Sequence, residues 1–462
     1  MRFERAFAVL AVTAGVFAIG GAPAGAITPP EVGPAATPPT GSAGPVEPMA
    51  QRNPCVTSGV IPGSDPGAVS PNQVSLDLAQ AWMHSKGEGQ LVAVIDTGVK
   101  PGPRLPNVEA GGDYIDTGDG MTDCDGHGTL VAGLIAGQPG ADGFSGVAPA
   151  SRILAIRQSS PRYTPRDSGE NPVLTRATVA TQTLARAVVR ASDMGARVIT
   201  ISSATCIPVG LNVDQNELGA ALRYAAVEKD VVIVAAAGDT GSDCTANPLS
   251  DPALPSDPRN WNGVTALSIP AWWQQYVLSV GSVGPTGQPS PSTMAGPWLG
   301  IAAPGENITS VSNDEAGGLA NGMLNNEQQM GPISGTGYAT AYTAGVAALV
   351  RSRFPTLTAR EVVDRLTGTA HSAARSPSNL VGAGTIDPVA ALTWNVPVDG
   401  DGDPASVRPV AAPPLTEPED PLPRAVAFAG VGALALSVLV VFVVNAKRPR
   451  TAGAIQRKDS LS

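Results

Sequence analysis

Leu91-Val92-Ala93-Val94-Ile95-Asp96-Thr97-Gly98 decides how the rest of the chain is read. Five apolar residues run without a break and end in an aspartate and a turn. A short continuous apolar run closed by turn residues fits a strand buried on both faces. Similar runs recur at Ile153–Ile156, Val198–Ile201 and Val231–Ala235. Between them lie helical segments: Gly128–Ala136, Leu174–Met194 with apolar Leu184, Val188 and Ala191, and Asn216–Val227. Alternation of this kind predicts an α/β fold, a parallel β-sheet flanked by helices on both faces. Tyr338–Arg351 reads as a helix packed with Ala and Gly. Thr358 with Glu361 forms a capping box that opens another. Residues 160–173 and 312–331 read as polar loops.

Working outward, the ends carry an address. Met1–Arg5 is basic, Ala6–Gly20 apolar, and Ala24-Gly25-Ala26 a small-x-small cleavage signal. Residues 1–26 therefore read as a secretory signal peptide, with Ile27 the mature start. Residues 27–75 form a Pro/Gly-rich N-terminal extension, and 76–397 the folded body. Residues 398–424 are a Pro-rich tether. Ala425–Val444 is uncharged for twenty residues and is followed by Lys447-Arg448-Pro449-Arg450. That predicts one C-terminal transmembrane helix over 425–446, through which the chain meets the lipid bilayer. The basic flank predicts a cytosolic tail over 447–462, with the body extracytoplasmic.

The 462 residues are 43% hydrophobic, which suffices for a large core and excludes a wholly disordered chain. Net charge is −10, but the two ends are basic and the stretch between them carries −15. An acidic body with 4% aromatics argues against nucleic acid as a partner. Outside the cytosol the four cysteines can oxidise. Cys206 lies just beyond Ile201, and Cys244 beyond the strand ending near Ala237, so both leave one edge of the sheet. The expected pairs are Cys206–Cys244 and Cys55–Cys124. No Cys or His spacing suits zinc, and no metal or cofactor is expected.

In an open parallel sheet, function sits at the carboxyl ends of the strands. Asp96 ends the first strand. Thirty-one residues on, His127 opens a helix between two glycines. A buried carboxylate holding a histidine in one tautomer is half of a hydrolytic triad. Downstream, Gly335-Thr336-Gly337 opens the small-residue helix. Together, Val94-Ile95-Asp96-Thr97-Gly98, Gly126-His127-Gly128-Thr129, Gly146-Val147-Ala148-Pro149 and Ser334-Gly335-Thr336 resemble the subtilisin-like serine proteases over about residues 76–394. Thr122-Asp123-Cys124-Asp125, Ala391-Leu392-Thr393-Trp394 and the two ends are similar to the mycosins, membrane-anchored subtilases of type VII secretion. The resemblance implies serine endopeptidase chemistry, a substrate cleft lined by Ser202 and Ser203, and a place on the outer face of the secretion membrane complex.

Two departures bear on activity. The family's nucleophilic serine is replaced by Gly337, and its oxyanion asparagine by Asp239. Glycine has no atom that can attack a carbonyl, and an ionised Asp239 offers no donor. Thr200 also stands where the family often has asparagine. The chain is therefore expected to be proteolytically inactive, with a structural role in the secretion complex. An atypical active serine endopeptidase, using Ser334 or Thr336, is the alternative. A remote one is an aspartic protease pairing Asp96 with Asp239, since both begin Asp-Thr-Gly. Glycine in place of serine removes one small group and disturbs no packing, so the helix start at 337 is expected within reach of His127, and Gly337→Ser is expected to restore a base–nucleophile contact.

Overall fold

Seven strands make one parallel sheet. They are β1 (Leu91–Asp96), β2 (Val108–Asp113), β3 (Arg152–Arg157), β4 (Val198–Ile201), β5 (Val232–Ala236), β6 (Leu278–Val283) and β7 (Leu299–Pro304). Their order is β7-β6-β5-β4-β1-β3-β2, every neighbouring pair parallel. The computed structural model describes residues 27–397, apart from 168, 242–243, 250–255, 326–327 and 372–376, together with 422–446. The expected signal peptide, the tail and nearly all of the tether lie outside the described residues. The chain divides into two compact units, Met1–Asp399 and Gly400–Ser462.

Why the apolar runs lack alternation is visible in the packing. Along β1, Val92 and Val94 join one buried layer and Leu91, Ala93 and Ile95 the other. Both faces are dry, so both must be apolar. The first layer contains Leu130 and Leu134 of α1 (His127–Ala136) and most of the long helix Thr336–Arg353. The second contains Leu184 and Val188 of α2 (Pro172–Asp193) and Leu218 and Leu222 of α3 (Asn216–Arg223). Asn171 caps α2, its side chain accepting from Leu174 N at 3.1 Å, with Pro172 in the first turn. The long helix, α4 (Thr336–Arg353), is buried almost all round, which explains its Ala and Gly content. Thr358 and Glu361 form the expected capping box at the start of α5 (Ala359–Gly368).

Four details differ from the sequence reading. The first is that β2, β6 and β7, which carry Gly, Ser or Glu and no unbroken apolar run, are not among the strands it predicts. The helix from Asn216 gives way after Arg223 to a five-residue π turn, Tyr224–Glu228. The expected loop 160–173 contains the strand Tyr163–Pro165, which pairs antiparallel with Met49–Gln51 of the extension. The loop 312–331 contributes Leu319–Ala320, paired with Ser310–Val311, and Gly322–Leu324, whose partner is Met330–Pro332. These strands are two or three residues long and exist only through their partners, so they carry no local pattern to read.

The extension lies along the body. Val56 N donates to Cys124 O at 2.9 Å, and Gly59 bridges Gly322. The C-terminal helix Leu422–Ala446 is 25 residues long, and its described side chains, at 428–441, 443 and 444, are exposed. Counting the described residues alone, no helix is long and apolar enough to cross a membrane.

Candidate functional site

β1 sits where the strand order reverses, between β4 and β3, so its carboxyl end opens onto the crevice where α/β sheets bind ligands. Asp96 is its last residue and is fully buried. α1 begins opposite, and its first residue is His127. Glycine is required on either side. Gly126 has φ 76°, and a Cβ on Gly128 would collide with the Gly98 carbonyl of the Asp-Thr-Gly turn. That close seating brings His127 Nδ1 to 2.8 and 2.9 Å from the Asp96 carboxylate oxygens. Nδ1–H donates to the carboxylate, which leaves Nε2 facing the cleft as the proton acceptor.

Two further donors fix Asp96: Thr97 N at 2.6 Å and the Ser202 hydroxyl. Asp123 ties the turn to α1. It accepts from Thr97 Oγ1 at 2.9 Å, Gly126 N at 2.8 Å, Thr129 N at 2.9 Å and Thr129 Oγ1 at 2.6 Å. Both disulfides flank this constellation. Cys55–Cys124 joins the extension to the loop ahead of His127, and Cys206–Cys244 backs onto Gly238, beside Asp239.

Position 337 is where the family resemblance expects the nucleophile. A Cβ built on Gly337 would lie 3.0 Å from His127 Nε2, so the helix terminus is within reach of the base. The same Cβ would lie only 2.5 Å from the Ser202 carbonyl oxygen. A serine introduced at this position would therefore crowd that carbonyl. The carbonyl at the end of β4 sits against the start of α4 with little room for a side chain at 337. Tyr338, the next residue, is buried with its ring 4.8 Å from the His127 imidazole. Nothing in the sequence singled out Tyr338.

Asp239 follows β5 and meets the other side of the same helix terminus. Its carboxylate oxygens accept from Thr336 N at 3.0 and 3.1 Å, and from Thr336 Oγ1 at 3.0 Å. The carboxylate thus caps α4, taking a backbone N–H from its first turn. The hydroxyls of the alternative reading are placed elsewhere. Thr336 Oγ1 is held between Asp239 and Gly238 N, and exposed Ser334 accepts from Asn307 N. Asp96 and Asp239 each bond their own partners, in a parallel α/β sheet unlike the nearly all-β aspartic proteases. Thr200 is fully buried within β4, its hydroxyl without a partner among the described residues.

The electrostatics follow from burial against charge. Burial pushes Asp96 up, but His127, Ser202 and Thr97 outweigh it and hold the carboxyl below its ordinary range. Burial lowers His127, but Asp96, then Asp123 and Asp239, hold the imidazolium above its usual value. Asp239 is raised because burial outweighs its bonds to Thr336 and the His127 charge. Burial takes Asp123 to about 6. The arrangement can hold and move a proton at His127 Nε2, but at position 337 it presents no atom to attack a carbonyl. Among the described residues no cluster of three or more His, Cys, Asp or Glu side chains could hold a metal ion.

Known proteins share this layout. Residues 87–384 match the model of the subtilase family. Mycosin-3 of Mycobacterium tuberculosis is 60% identical over 94% of this chain and 95% of its own length. The solved MycP3 protease of the type VII (ESX-3) secretion system superposes with a TM-score of 0.78 at 66% identity, covering 80% of this chain and 100% of that one. A chain of the intact ESX-5 inner membrane complex gives 0.78 at 42% identity, covering 91% and 100%. With the Asp96–His127 pair at the reversal of a parallel sheet, these likenesses show that the chain belongs to the subtilase family and, within it, to the mycosins.

Proposed function

We propose that this chain is a membrane-anchored mycosin of a type VII secretion system that keeps the subtilase fold and lacks the proteolytic chemistry. One observation carries the reading: position 337 has no side chain, and the Ser202 carbonyl lies where that side chain would be accommodated. Asp239 supports it, because a carboxylate bonded to Thr336 N places negative charge where a developing oxyanion needs donors. Ser202 and Ser203 remain the cleft's lining in this reading, for a peptide held and not cut.

The role is structural. Similar chains occur in the ESX-5 inner membrane complex and its periplasmic assembly, and we assign this chain a corresponding place. Residues 1–26 direct export and 27–75 wrap the domain of 76–397. The tether 398–424, span 425–446 and tail 447–462 hold it to the membrane, with the domain outside. The test is complementation of cells lacking the chain. Native protein and His127→Ala should restore the secretion complex and its export equally, while a chain ending at Arg424 should be released in soluble form. Loss of export with His127→Ala would overturn the silent-cleft reading. Retention of the truncated chain on membranes of cells stripped of complex partners would overturn the anchor.

A further inference from the structure

The carboxyl ends of the strands hold the degenerate cleft, and the opposite ends hold a cavity of about 510 Å³. Its walls come from the first residues of three strands, among them Val232, Leu278 and Leu299, and from Val363 on α5. It therefore lies at the far edge of the sheet from His127. The size falls within the range of pockets that bury small ligands, and the walls are more apolar than polar.

Three charged residues line this space, Arg259, Arg360 and Asp364. Arg259 lines the cavity and is held rigidly. Its Nε donates to Asn379 Oδ1 at 2.8 Å and its Nη2 to Leu299 O at 3.0 Å, while Asn379 Nδ2 donates back to Arg259 O at 2.8 Å. Among the described residues no carboxylate lies within ion-pair distance of it. The other charged pair on the wall, Arg360 and Asp364, is satisfied internally at 2.9 Å. Burial weakens the hold of Arg259 on its proton, with no anion to offset it. A half-buried guanidinium with no counter-charge among the described residues, fixed by neutral acceptors, costs free energy that an anion would recover. A guanidinium also suits a planar carboxylate in two-point contact.

The geometry points to a second ligand site here, taking a small amphiphilic carboxylate whose apolar body lies between β5, β6 and α5 and whose carboxylate meets Arg259. It is independent of peptide hydrolysis and of the cleft.

The probe pair is naphthalene-2-carboxylate and its neutral isostere naphthalene-2-carboxamide, titrated calorimetrically into the full chain in lipid nanodiscs, with empty nanodiscs as the blank. The carboxylate should bind saturably at one site per chain, about tenfold tighter than the amide. Arg259→Gln should erase that difference, and Val363→Trp, which fills the cavity, should abolish binding of both. If Arg259→Gln does not fold, the carboxylate–amide difference in the native chain and the Val363→Trp result decide alone. Equal affinity for the two probes, binding that survives Val363→Trp, or no saturable binding overturns the assignment.

Discussion

Gly337→Ser is the substitution for which the structure makes the sharpest quantitative statement. The new Cβ would meet the Ser202 carbonyl oxygen at 2.5 Å, and real Cβ atoms stay beyond about 3.0 Å. The end of β4 must therefore retreat by about 0.5 Å, and Ser202 is also bonded to Asp96, so the base pair feels the shift. Overpacking of this kind costs about 1–3 kcal/mol. Replacing glycine near a helix start returns at most about 0.5 kcal/mol of propensity. The net loss of roughly 0.5–3 kcal/mol lowers Tm by about 1–4 °C for a body of this size, read by calorimetry on the full chain. Chemistry should lag as well. The new hydroxyl stands beside His127 Nε2, but Asp239 still occupies the helix terminus. Slow labelling by a fluorophosphonate probe is the expected result, with little peptide turnover. Adding Asp239→Asn should raise turnover by about 10²–10³, the effect of one oxyanion donor in subtilisin itself. A single variant that melts at or above the native temperature and turns over peptide as fast as the double variant would refute this reasoning.

Asp239→Asn alone should lower the His127 pKa, because one of the carboxylates that raise it is removed; an unchanged or higher value in a histidine NMR titration would contradict this. Asp123 titrates near 6 when folded and near 3.8 when unfolded, so the folded state holds the extra proton. Its contribution to stability is full below pH about 4 and falls by about 3 kcal/mol as pH rises through 6. Denaturant melts of the native chain and Asp123→Asn should therefore diverge between pH 4 and 6, and parallel curves would count against it. Removing the 38-residue Cys206–Cys244 link with paired alanines should cost up to about 4 kcal/mol. A loss below about 1 kcal/mol in the same melts would mean that the bond does not order the Asp239 loop.

Four strands of the sheet, β1, β3, β4 and β5, are legible because they are buried on both faces and read as short runs of Val, Ile, Leu and Ala. By contrast, β2, β6 and β7 carry Gly, Ser or Glu and give no such run. Asp96 and His127 are legible because each stands at the end of an element, beside the glycines its seating needs. What escapes is set by contacts between distant segments. The Ser202 carbonyl reaches position 337 across more than a hundred residues, and no local pattern encodes how closely the end of β4 approaches it. Tyr338 reads as one more residue of a small-residue helix until its ring is placed against His127. Asp239 reads as a lost donor, but only the fold shows its carboxylate bonded to Thr336. Met49–Gln51 and Tyr163–Pro165 are strands only because each supplies the other's partner.

The central claim is that a mycosin fold stands here around a cleft without proteolytic chemistry. Its most direct test is incubation of the native full-length chain with a diverse peptide library, read by mass spectrometry beside His127→Ala. Identical peptide profiles are expected for the two proteins, with no cleavage above the buffer blank. Cleavage by the native chain that disappears in His127→Ala would contradict it.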